Sequence, residues 1–113
     1  MKLHKKFEHN LPGVYFWGER SDVDIRVNVS KFRAGEKFPN DLLHYHKTRT
    51  TYFCILEGTL FVEVNKQEII LTSESMLEIL PMEKYRTKGV GKKGCQFIVI
   101  GSHNEHDKVN VLN

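Results

Sequence analysis

Nothing in this chain approaches the roughly 20 consecutive apolar residues that a bilayer-crossing helix requires, so no membrane partner is expected. No stretch of about ten residues places its apolar positions at helical spacing, which argues against helix bundles and α/β layers. Cysteine is scarce. Cys54 and Cys95 have no CxxC spacing, which excludes zinc-ribbon and thioredoxin-type chemistry. Each lies in an apolar, β-prone run and is expected as a reduced, buried thiol of a cytoplasmic protein. The basic start from Met1 to His9 leads into no apolar run, so a secretory signal is not expected. A formal charge of +3 is too small to imply nucleic acid as a partner. The basic cluster from Lys84 to Lys93 is too short and too poor in aromatics for such a surface. Gly89-Val90-Gly91 within it lacks the ending of a phosphate loop and reads as a mobile hairpin.

What remains is an ordinary soluble composition, 40% hydrophobic and 27% charged, over 113 residues. That length suits one domain spanning 1–113, with its core over about 23–101. Val23, Ile25, Val27 and Val29 alternate with polar residues, the pattern of a half-buried strand. Phe38-Pro39-Asn40-Asp41 is a loop, and Tyr52 to Leu56 is a central strand ending at a Glu57-Gly58 bend. Leu60, Val62 and Val64 share a face, and Asn65-Lys66 forms a tight hairpin turn into the strand Glu68 to Leu71. Thr72 to Ser75 turns again, Met76 to Leu80 is stopped by Pro81, and Gln96 to Gly101 is the last clear strand. The tail from Ser102 reads as a loop, with Val109, Val111 and Leu112 able to pair as a final strand. Short strands with turn signals about every eight to twelve residues make the fold all-β, a sandwich or barrel.

Chemistry concentrates at His44-Tyr45-His46. On an extended chain residues i and i+2 face the same way, so the two imidazoles can hold one ion or one substrate from one side. Gly58 follows twelve residues after His46. His44, His46 and Gly58, with Pro81 behind the strand Met76 to Leu80, resemble the cupin family of double-stranded β-helix (jelly-roll) barrels. Departures are equally specific. The family's Glu position holds Thr51 and its third His position holds Arg86. Its second-motif glycines are Ser75 and Glu83, its Asn is Val90, and Gly35 lies farther from His44 than the family spacer.

The resemblance implies a concave lumen lined by His44 and His46, and a homodimer. It also implies a divalent metal such as Zn, Mn, Fe or Ni on His44 and His46, although Thr51 is a poor ligand and Arg86 would repel the ion. His4, His9, His103 or His106 could complete the shell. Alternation puts Thr51, Phe53 and Ile55 on the lumen face, giving it an apolar floor. Glu57 or Glu78 could be a general acid if either faced inward. Arg86, if it lined the lumen, would clamp a carboxylate or phosphate while His44 or His46 acted as base. His44, His46 and Arg86 are therefore the candidate catalytic residues. The expected function is binding of a small polar or anionic molecule, as a sugar isomerase or epimerase. The alternatives are a non-catalytic ligand-binding or sensing cupin with a decayed metal site and, third, a metal-dependent oxygenase.

Overall fold

The structure is a computed structural model and describes residues 1–8, 13–17, 23–36 and 38–112. Its strands are β1 (Lys6–Glu8), β2 (Val14–Trp17), β3 (Arg26–Phe32), β4 (His44–His46) and β5 (Thr51–Val64), followed by β6 (Gln67–Thr72), β7 (Met76–Ile79), β8 (Tyr85–Gly101) and β9 (Lys108–Asn110). All pairings are antiparallel. One path runs β1-β2-β3-β8-β4-β9, and β5 joins it through β8 while also pairing β6 and β7. No helix occurs among the described residues, and none is long and apolar enough to cross a membrane.

Two long strands organise everything else. β5 and β8 pair from Thr51↔Gly101 to Val64↔Tyr85, with register shifts around Gly58. Gly58 and Gly94 both have φ near +80°, and a Cβ on Gly58 would collide with the Gly94 carbonyl. The Glu57-Gly58 bend is therefore a bulge inside one continuous strand, where the sheet curls to close on itself. The Asn65-Lys66 turn has φ of 49° and 68°, the paired positive values that a two-residue hairpin of matching twist needs.

The core lies along the inner faces of these strands. Leu60, Val62 and Ile79 are almost wholly buried and pack with Phe32, Phe53 and Phe97. Burying one such aliphatic side chain contributes about 1.5–3 kcal/mol. Three sequence expectations change here. Gly89-Val90-Gly91 is not a mobile hairpin, because β8 runs unbroken through it and pairs with β5. The Val27 and Val29 side of β3 is its outer face, since Phe32 and Ser30 are buried and Asn28 lines a cavity. Polar residues point inward there because that end of the lumen is not filled with core. Cys95 is a buried free thiol as expected, but Cys54 is free on the outward face and only half-buried.

Candidate functional site

At the end of the barrel opposite the packed core, β3, β4, β5 and β8 enclose a cavity of about 410 Å³. β4 is only three residues long, and its alternation sends His44 and His46 inward and Tyr45 outward. Thr51 and Phe53 come from β5, Tyr85 and Val99 from β8, and Asn28 from β3. Phe53 supplies an apolar floor, and Ile55 lies in the core cluster. The lumen is thus sealed at one end and open at the other.

Both imidazoles are buried and fixed by their Nδ1 atoms. His44 Nδ1 donates to the Leu42 carbonyl at 2.7 Å. A carbonyl only accepts, so this nitrogen carries the proton. His46 Nδ1 donates to Asp107 Oδ1 at 2.7 Å. The rings meet edge to face with centroids 5.5 Å apart, and each neutral ring keeps its Nε2 as an acceptor. Burial lowers the pKa of both histidines, outweighing the bonds to Leu42 and Asp107 that would raise it. Both rings are therefore neutral near pH 7.

Asp107 arrives from the tail. β9 pairs with β4, His44↔Asn110 and His46↔Lys108, which carries the preceding residue against His46. Burial would raise the Asp107 pKa, but the Thr48 amide, His46 and the Arg49 amide together hold it well below the ordinary carboxylate value. The two amides donate to Oδ2 at 2.9 and 2.8 Å. Tyr85 stands opposite His44 in the ladder, its ring 4.3 Å away, and its hydroxyl donates weakly to Thr51 Oγ1 at 3.5 Å. Burial pushes the Tyr85 pKa up to about 12, so the phenol stays protonated.

Arg86 is not among the residues lining this cavity. Strand alternation turns it outward, where it pairs with Glu63 at 3.1 Å, and Tyr85 occupies the lumen position instead. Glu57 and Glu78 are exposed and outside the cavity lining as well. His106 sits at the exposed rim. His103 donates from Nε2 to Thr48 Oγ1 at 2.8 Å, and His4 does not line the cavity. His9 lies outside the described residues. Among the described residues no three His, Cys, Asp or Glu side chains converge on a common point. Asp107 is bound to His46 Nδ1, Asp41 to Thr87, and Thr51 and Tyr85 are poor ligands, so the two imidazoles fall short of the three protein donors of a catalytic zinc-type site.

Arg49, buried beside the pair, was not foreseen from the sequence, nor were Arg26, Tyr85 and Asp107. Tyr85 was one residue from the motif position that pointed to Arg86. Asp107 carried no local signal at all.

No protein-family model matches the sequence, and no curated protein matches it. Solved structures do resemble it. A cupin protein from Bacteroides fragilis is 19% identical with a TM-score of 0.67, over 100% of this chain and 93% of that one. Streptomyces PAC13 with uridine is 12% identical with a TM-score of 0.67, over 96% and 84%, and Pac13 is described as a nucleoside dehydratase. The cupin domain of Schizosaccharomyces pombe Cnp3 is 18% identical with a TM-score of 0.61, over 82% and 66%. At these identities the likeness is one of fold.

Proposed function

The chain has the cupin double-stranded β-helix fold, and from that premise we propose that its cavity binds a small hydroxylated or anionic compound and moves a proton on it. Isomerisation of a sugar derivative is the reaction type that fits directly, and epimerisation fits if the substrate turns over between two proton transfers. The observation that carries this reading is the His46–Asp107 pair. A carboxylate on Nδ1 fixes the tautomer and stabilises the imidazolium that forms when Nε2 takes a proton. His44 offers a second neutral acceptor, and Tyr85 a protonated phenol in contact with it. The PAC13 likeness adds that a chain of this fold takes a ribose-bearing molecule, uridine.

Incubation with aldose, ketose and nucleoside panels in deuterated water, followed by NMR, tests the proposal. Wild type should wash deuterium into a carbon position of one class, and His46→Gln should slow that exchange about 10²–10⁴-fold. Ligand-dependent stabilisation with no exchange would favour the second reading, a binding or sensing cupin.

We also propose that the chain pairs with a second copy. Val29, Ile98, Cys54 and Met76 are register neighbours across β3, β8, β5 and β7 on the outward face. Such an apolar row suits an interface. Sedimentation velocity should show a dimer that Ile98→Lys disrupts.

A further inference from the structure

Two arginines, Arg26 and Arg49, line the cavity beside the imidazoles, and both border Gly101. Arg26, Gly101 and Thr51 stand side by side across β3, β8 and β5. A Cβ on Gly101 would lie 2.8 Å from Arg49 Cδ, so the Arg49 stem passes through the space a side chain would take, with Arg26 Cβ in contact at 3.4 Å. Each is oriented by neighbours. The Arg49 guanidinium donates to the Glu105 carbonyl at 2.9 Å, and that of Arg26 lies over the Phe16 ring at 4.1 Å and donates to Asn104 Oδ1 at 3.5 Å. Lys108 adds a third positive group at the same opening.

The carboxylates of the cavity are already engaged. Asp107 accepts from two backbone amides and His46, and Asp41 accepts from the Thr87 amide and hydroxyl at 2.9 and 3.1 Å. Glu105 is exposed at the rim. Arg26, Arg49 and Lys108 thus line the β3 and tail end of the cavity together with Asp107.

We propose that this end binds an oxyanion carried by the substrate, a carboxylate or a phosphate, with Arg26 and Arg49 as its recognition residues. The proposal rests on the reading that the cavity is a substrate site. A guanidinium matches either group with its planar fork of five donors. Arg49 Nε is 4.0 Å from Asp107 Oδ1, which places the bound anion next to the His46 dyad. The carbon adjoining that anion is then the one presented to His46 Nε2. A carboxylate there would also carry the negative charge that develops when its α-proton leaves, next to a fixed cation.

Calorimetric titration of the full chain with sodium phosphate, and separately with sodium lactate, at constant ionic strength tests this. Saturable binding is expected from at least one anion, and the tighter one identifies the group. Arg26→Gln should weaken it about tenfold or more, and Arg49→Gln at least as much. Arg86→Ala, on the outer face, should leave it unchanged, and His46→Gln should still bind. Absence of saturable binding by both anions overturns the proposal, as does an unchanged affinity in Arg26→Gln. Should circular dichroism show Arg49→Gln unfolded, the Arg26→Gln result decides. Anion binding without deuterium exchange would count against the proton-transfer reading alone. Exchange without anion binding would count against this one alone.

Discussion

Asp107 and His46, 61 residues apart in sequence, share a 2.7 Å hydrogen bond that joins the tail of the chain to the centre of the barrel. Asp107→Asn should therefore act on His46 rather than on substrate. Deuterium exchange should fall about 10²-fold or more. The acid limb of the rate profile should move to lower pH, because the carboxylate that supports His46 protonation is gone. A purely structural role would lower the amount of folded protein without moving that limb.

Stability should decline steadily toward acid. The folded pKa values of His44 and His46 lie below the ordinary 6.5, so the unfolded chain binds more protons once pH drops through that value. Asp107 is likewise depressed below its ordinary 3.8, and its contribution is present above that pH and lost as pH falls further. Urea midpoints should fall first below about pH 6.5 and again below about pH 4. Replacing both histidines by Gln should remove the first decline, and Asp107→Asn the second.

Tyr85→Phe separates packing from chemistry. The 3.5 Å bond to Thr51 is weak, so thermal or urea stability should change by less than about 1 kcal/mol. A larger loss in deuterium exchange than in stability would assign the phenol to the substrate. Because its pKa stands near 12, no titration of Tyr85 should enter the rate profile below about pH 10.

Gly58→Ala should be among the most damaging single changes. The residue has φ of 81°, and a Cβ would meet the Gly94 carbonyl and Cys95 Cα. A cost above about 2 kcal/mol is expected in urea unfolding, from the left-handed backbone and the collision together. Gly35→Ala is the comparison. It shares the positive φ but has no atom within 4 Å, so only the backbone part should remain.

The barrel was legible because its signals are local. The Asn65-Lys66 turn, the alternation of Leu60, Val62 and Val64, and the His44/His46 spacing each depend on a few adjacent residues. The site was legible only where one strand supplies it. Placing Arg86 by motif count missed the lumen by one residue, and on a strand one residue reverses the face. Val27 and Val29 misled for a related reason. Their apolar side looks inward by hydrophobicity, yet the true inner side of β3 carries Arg26 and Asn28 because it borders a cavity. A final strand through Val109 was open from the sequence, but Asp107 depends on that strand, β9, folding back onto β4, a partner that no local pattern names.

Both acceptor nitrogens come from a single strand, and Tyr85 belongs to the strand paired with it, so every proton-handling group stands on one wall. A substrate held by its anion at the arginine end would offer that wall only one face of its reacting carbon. A proton removed from that face would return to it, a suprafacial course. Such a site shifts a double bond or expels a neighbouring hydroxyl from the same side readily. Inverting a stereocentre would require either a partner on the opposite side or a substrate that turns over between the two transfers.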